Sequence, residues 1–478
     1  METQQVLKSN SLARVIGESI LFKLAIIGFL TLLMLIPSNW VQDLILERQN
    51  RQNEVTTEIS DKWSDRQLVE GPVLVLPYHN LVNEKDTAGR NHVKLEPTNI
   101  YILPEELKIA STANPEILHR GIFDAVVYST KIKVNGRFSE LELKKSGIQP
   151  ERIDWNQAKV VIGLTDLKGL KNNPVIKVKD TSYNAEPDFT DIGLFSNTLI
   201  VVPDLSAGKS TALEFNFELD LRGSSDLTFQ HLGKATTVTI DGQWDNPSFM
   251  GRYLPEKRNI SKNGFSATWQ LPYFNRTYPQ QWVAQKTLLT PERPRESFAP
   301  QTRIDTSTAS VSSDKNNTTF GVKFILPVDQ YQKTMRSVKY STLVILLTFV
   351  SLFFTELINK KKVHLLQYIL IGAAMTIYYT LLLSFSEQVG FNFAYLIASL
   401  ATILLIGGFI LMLLKSKKPA LVFAGILSVF YSFIYVIIQL QDLALLFGSV
   451  GLFIIISVLM YFSAKMDWSR KSDLESTE

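Results

Sequence analysis

The sequence predicts a multi-pass α-helical membrane protein with six transmembrane helices, one N-terminal and five C-terminal. A large extracytoplasmic, mainly-β domain of antiparallel, sandwich-like build lies between them. Three observations predict it. Residues 1–39 and 340–478 hold 12 of the 49 Lys+Arg, 9 of the 45 Asp+Glu and two of the 19 prolines, Pro37 and Pro419. Those same two stretches contain apolar runs of the roughly 17–25 residues that cross a hydrocarbon core as a helix. Between them, apolar and polar residues alternate with the period of a pleated strand.

Residues 1–19 read as a cytoplasmic N-terminus and Ile20–Ile36 as the first span, an uncleaved signal anchor. The run is interrupted by Lys23 and Thr31. No Ala-x-Ala-like cleavage site precedes Pro37 or Trp40, and Lys23 is placed to reach the headgroups. A stalk helix is expected over 37–70, because Val55, Ile59 and Trp63 recur at i, i+4 and i+8.

From Gly71–Pro72 to 339 the reading is a β-rich domain. Leu213, Phe215, Phe217, Leu219 and Leu221 alternate with Glu214, Asn216, Glu218 and Asp220. Ile132 and Val134, Val238 and Ile240, and Phe320 to Leu326 repeat the pattern, while Val73–Leu76, Val160–Ile162 and Leu199–Val202 suit strands buried on both faces. The length favours two β-subdomains or one extended double sheet. Gln301–Thr319, rich in Ser, Thr, Asn and Asp, reads as a mobile loop.

Five apolar runs follow, at about 340–358, 363–383, 392–414, 420–438 and 443–462, forming a bundle over 340–462 with a tail at 463–478. Alternate connections carry Lys360, Lys361 and Lys362, then Lys415, Lys417 and Lys418, then Lys465, Arg470 and Lys471. The Ser384–Phe391 and Gln439–Leu443 connections carry no Lys or Arg. Positively charged loops stay in the cytoplasm, which predicts both termini inside and residues 40–339 outside. Trp40, Tyr340 and Trp468 fall where interfacial aromatic anchors are expected.

Composition narrows the chemistry. With no cysteine, thiolate catalysis, disulfides and Cys-ligated metal are excluded. The middle segment carries 37 basic and 36 acidic residues, a balance that disfavours a nucleic-acid surface. The five histidines are scattered, and no phosphate-binding glycine loop or Gly-x-Ser-x-Gly turn occurs in a suitable context. No catalytic, cofactor-binding or metal-ligating set is therefore assigned, and no cofactor is expected. His231 reads as structural. Trp269, Tyr273, Phe274 and Trp282 read as packing, with sugar stacking as the alternative. Gly372–Ala373–Ala374 and Gly407–Gly408 offer small faces for close helix packing.

The candidate site is a membrane-interface cluster. Ser384, Ser386 and Glu387 lie in the expected outer loop between the third and fourth spans, and Gln439, Gln441 and Asp442 in that between the fifth and sixth. Helix capping is one reading and a lipid-headgroup or proton-coupled substrate site the other.

Several stretches carry a resemblance: Ser384-Phe-Ser-Glu-Gln-Val-Gly-Phe391 with Ala394-Tyr-Leu-Ile-Ala398, Gln441-Asp442 with Gly448-Ser-Val-Gly-Leu452, and, in the middle, Gly71-Pro72, Tyr101-Ile-Leu-Pro104, Gly121-Ile122, Pro247-Ser-Phe249 and Pro327-Val-Asp-Gln-Tyr331. In these the chain resembles the CreD family, bacterial inner-membrane proteins described as cell-envelope integrity proteins, over nearly its whole length. The resemblance implies an N-terminal anchor, a large periplasmic region, a C-terminal bundle and an envelope role, with no established catalytic residues to carry over. Many members have His where this chain has Gln388, which speaks against a mechanism that needs a titrating imidazole there. The leading expectation is thus a non-enzymatic protein of the inner membrane. Its partners would be membrane lipids and an envelope protein or a glycan or lipid ligand, with no nucleic acid. A component of a lipid or small-substrate transport system is the alternative, and a membrane-anchored periplasmic hydrolase the second.

Overall fold

The computed structural model describes residues 20–85, 91–142, 148–188, 194–276, 278–284, 289, 318–326, 330–359, 361, 363–440 and 443–465. Residues 1–19, 301–317, Gln441, Asp442 and 466–478, with Trp468, lie outside them. Its contacts divide the chain into two compact units, Met1–Arg51 with Val328–Glu478, and Gln52–Pro327.

The helical unit holds six helices long and apolar enough to cross a membrane, one near the N-terminus and five near the C-terminus. Helix α1 (Ile20–Leu33) is followed after Met34 by α2 (Leu35–Trp63), inside which the division into units falls. Pro37 sits in the first turn of α2, where its missing N–H has no intrahelical partner to lose. The expected stalk is helical to Trp63, and the first strand begins at Gln67 rather than after Gly71. Helix α3 (Gln330–Lys339) is short and amphipathic and belongs with the helices, not with the β domain to which the sequence reading gave residues up to 339. Its inward residues are Tyr331, Thr334, Ser337 and Val338, largely polar, so hydropathy alone hides the stripe.

Helices α4 (Ser341–Asn359), α5 (Leu365–Val389), α6 (Phe391–Leu414), α7 (Lys417–Gln439) and α8 (Ala444–Lys465) follow. Small residues let them approach. A Cβ on Gly372 would lie 2.9 Å from Met34 Sδ and 3.0 Å from the Phe349 ring, so α1, α4 and α5 meet there. Gly407 faces Ala424 of α7, whereas Gly408 faces open space. At Gly451 of α8 a Cβ would collide with the Phe433 ring, 2.0 Å away.

The other unit is a double sheet. Strands β1 (Gln67–Lys85), β2 (Asn91–Ile102), β5 (Lys159–Leu164), β8 (Glu186–Pro187), β9 (Thr198–Val201), β11 (Asp226–Gln230), β13 (Pro247–Gly251), β16 (Gln281–Ala284) and β17 (Thr319–Phe324) make one nine-stranded sheet. The other runs in the order β14 (Lys257–Ser261), β15 (Gly264–Pro272), β12 (Ala235–Gly242), β3 (Pro104–Arg120), β4 (Phe123–Phe138), β10 (Glu214–Ser224), β6 (Val175–Val178), β7 (Thr181–Asn184). One continuous apolar core takes side chains from both sheets, among them Leu74, Ile102, Ile132, Phe217, Val238, Trp269 and Phe320. The outcome is one extended double sheet rather than two subdomains.

Each alternating run lies in a strand or strand edge with its apolar face inward; Phe215, Phe217, Leu219 and Leu221 are buried on β10. The short apolar run Val73–Leu76 is buried on both faces: Leu74 and Leu76 enter the main core, Val73 and Val75 a second cluster with Tyr101, Val161 and Phe195. Pairing is mostly antiparallel, but β1–β11 and β3–β12 are parallel. These join strands far apart in sequence, which local alternation does not register.

The C-terminal half of α2 is tied to this sandwich. Arg120 at the tip of the β3–β4 hairpin contacts Glu58, and Arg222 stacks over the Trp63 ring at 4.6 Å. Gln67 Nε2 donates to Ser64 Oγ and to the carbonyls of Asp166 and Arg222, closing the helix-to-strand corner.

Candidate functional site at one end of the helical bundle

Helix α3 places its buried stripe on α5, α6 and α7. Tyr331 Oη donates to Glu387 Oε1 at 3.0 Å, and burial followed by the neighbouring Glu387 carboxylate pushes the Tyr331 hydroxyl well above the ordinary tyrosine range. Two residues on, Lys333 Nζ donates to Gln439 Oε1 at 3.3 Å and lies 5.7 Å from the centre of the Phe391 ring. Asn392 Oδ1 then accepts from Gln439 Nε2 at 2.7 Å and from Tyr435 Oη at 3.3 Å. Glu387 and Gln439 are thus both engaged by α3, each through its own partner.

The expected loop Ser384–Phe391 is not a loop. Helix α5 continues to Val389, and Gly390 alone, at φ +78°, separates it from α6. Polar side chains made this stretch look like a connection, yet Ser386 Oγ donates to Leu383 O at 2.8 Å within the helix and Gly390 N–H closes on Ser386 O. The left-handed glycine reverses the chain in one residue. Ser384 is exposed and takes no part in the bonds to α3. Gln439 is the last residue of α7, and Asp442 lies outside the described residues, so its expected partnership with Glu387 is not described.

Below this rim lies a cluster the sequence reading passed over. The Tyr378 ring centre is 4.8 Å from Tyr379, 4.7 Å from Tyr431 and 6.1 Å from Tyr395, and Tyr395 is 5.1 Å from Tyr435. Tyr395 Oη donates to the Tyr431 carbonyl at 2.7 Å. The consecutive Tyr378–Tyr379 pair inside an apolar span was the available signal.

At the opposite end a second intramembrane pair forms. Lys23 does not reach outward to headgroups as expected; Nζ meets Glu356 Oε1 at 2.5 Å, and Tyr368 Oη donates to Glu356 Oε2 at 3.3 Å. A half-exposed lysine on a membrane helix is neutralised when a nearly buried carboxylate is within its reach. Lys361 Nζ contacts the Leu414 carbonyl at the same end.

Within the β unit, His231 is fully buried, with Nδ1 3.1 Å from Thr236 Oγ1 and Nε2 3.3 Å from Pro272 O; burial pushes its imidazole down to about 4. Its structural reading fits this geometry. The four aromatics do not assemble into a sugar platform: Trp269 is core, Trp282 stacks on Tyr101 at 5.2 Å, and Phe274 stands 92% exposed. On the outer face of the eight-stranded sheet an open concavity of about 510 Å³ is lined by Thr112, Asn114, Lys131, Lys133, Lys171 and Asp220. Lys171 Nζ lies 3.4 Å from Asp220 Oδ1. No group of three or more His, Asp or Glu fit to hold a metal ion occurs among the described residues.

The family model for the inner membrane protein CreD matches residues 19–469. The chain belongs to the CreD family. A CreD relative, the inner membrane protein CreD of Escherichia coli (strain K12), is 28% identical over 442 residues, which are 91% of each chain. With its six apolar helices, this CreD-family chain is a multi-pass protein of the inner membrane.

Proposed function

We propose that this chain is a non-enzymatic cell-envelope integrity protein, with both termini cytoplasmic and residues 40–339 periplasmic, whose β unit binds an envelope component or partner protein. The observation that carries this reading is the charge asymmetry between bundle ends. Lys361, Lys415, Lys417, Lys418 and Lys465 gather at one set of helix ends, while the Gly390 turn and the Gln439–Leu443 connection carry no Lys or Arg of their own, the lysine met there being Lys333 of α3. The concavity with Lys131, Lys133 and Lys171 on the eight-stranded sheet supports an anionic or polyhydroxyl ligand. A photo-crosslinking residue placed at Lys131 in cells tests it. The expected result is a discrete envelope adduct, and a deletion strain sensitised to detergent and restored by the full gene. No adduct together with unchanged sensitivity would contradict the reading.

A second reading, a component of a lipid or small-substrate transport system, draws on the polar junction of α3 with Glu387 and Gln439. It predicts that Glu387→Gln weakens the envelope phenotype; full retention counts against it.

A further inference from the structure

The outer face of the eight-stranded sheet carries a row of polar side chains in unbroken register. Asn259 of β14 stands opposite Ser266 of β15, Ser266 opposite Asp241 of β12, and Asp241 opposite Thr112 of β3. Thr112 then faces Lys131 of β4, and Lys131 faces Asp220 of β10. Directly opposed residues share one face of a sheet, so the row crosses six strands in a line of about 24 Å at the usual strand spacing.

This row lies in a trough. The concavity of about 510 Å³ is lined by Thr112, Lys131 and Asp220, and a second, of about 330 Å³, by Thr112, Asp241, Asn259 and Ser266; the two share Thr112 and Asn114. Asn259, Ser266, Asp241, Thr112 and Lys131 are all exposed, and among the described residues their side chains make no hydrogen bond or ion pair with the protein. Asp220 is engaged by Lys171 at 3.4 Å. The next row along the strands is different: the Thr239 and Thr268 hydroxyls bond at 3.3 Å, and Lys133 lies 4.0 Å from Glu218. There the polar groups are matched to one another; in the trough they are left for something else.

The chemistry of the row selects a ligand. Amide, hydroxyl and carboxylate groups one strand apart can donate to and accept from successive hydroxyls of an extended polyol. Lys131 sits with Lys133 and Lys171 at one end, a cationic pole that suits a carboxylate or phosphate. A peptide strand finds no free backbone to pair with, because β15, β12, β3, β4 and β10 are paired along both edges. We propose that this row is the binding track of a linear acidic glycan laid across the strands, its anionic group against Lys131 and its hydroxyls against Asp241 and Asn259. The inference rests on the reading of the β unit as the part that binds an envelope component, and names the class of that component.

The test titrates full-length protein in mild detergent, by calorimetry, with a hexamer of galacturonic acid, a hexamer of glucose and a hexamer of glutamate. The uronate hexamer should bind best. Lys131→Gln should weaken it roughly tenfold, and Asn259→Ala, about 19 Å away along the row, roughly threefold. Lys257→Gln removes the same charge from the neighbouring row, where Lys257 stands opposite Thr268, and should leave binding unchanged. All three side chains are exposed, so each variant should melt like the wild type. A uronate hexamer that does not bind, that binds no better than the glucose or glutamate hexamer, or that Lys257→Gln weakens as much as Lys131→Gln does, would overturn the proposal. Each of these failures leaves the envelope-binding reading standing, because the crosslink at Lys131 and the deletion phenotype decide that reading in cells for a partner of any class.

Discussion

His231 illustrates how much a single buried group contributes. Its imidazole is held near 4 in the folded chain, below the roughly 6.5 of an unfolded histidine. The folded state therefore resists protonation that the unfolded state accepts. Stability is complete above about 6.5 and declines as pH falls towards 4, by on the order of 3 kcal/mol in all. Fluorescence of the buried Trp155 and Trp269 during denaturation at pH 7.5, 5.5 and 4.5 should show this decline, and His231→Gln should flatten it. At the other extreme of the chain, Lys23 and Glu356 form an unequal pair, with side chains 31% and 6% exposed. Lys23→Met strands a nearly buried carboxylate and should destabilise by roughly 3 kcal/mol or more. Glu356→Gln leaves a lysine able to extend towards the headgroups, so it should cost clearly less. Thermal unfolding of both variants in detergent decides this; equal losses would mean that the pair is not asymmetric in burial.

At the scale of elements, the spans and the alternating strands were legible because one physical variable, hydrophobic periodicity, governs each. Phe215 to Leu221 and Val73 to Leu76 lie in strands with the faces their pattern requires. Helix α3 was not legible: Tyr331, Thr334 and Ser337 face the bundle through hydroxyls, and a polar buried stripe has no hydropathy signature. For the same reason Ser384–Val389 looked like a loop while finishing a helix. Glu387 and Gln439 could be singled out as polar residues at span ends, but their partners Tyr331, Lys333 and Asn392 emerge from tertiary packing. The small face at Gly372 was legible, and it yields a prediction. Gly372→Leu forces a side chain into Met34 and Phe349 and should lower bundle stability by about 1–3 kcal/mol, whereas Gly408→Leu, which faces open space, should leave it unchanged. Detergent-melting curves of the two variants distinguish them.

For the whole molecule, the antiparallel-rich, sandwich-like build followed from composition and alternation, but the choice of one double sheet over two subdomains and the two parallel pairings did not. The arrangement of one span, a β-rich region and five further spans lies within the stretch matched by the CreD family model, residues 19–469. The sidedness proposed above rests on lysines at alternate helix ends. The most direct measurement is a pair of reporter fusions. Alkaline phosphatase, which matures only after export, is fused after the exposed Asn173 in one strain and after Lys361 in another. High activity at Asn173 with none at Lys361 is the predicted result; an inactive Asn173 fusion, or an active one at Lys361, would contradict the account.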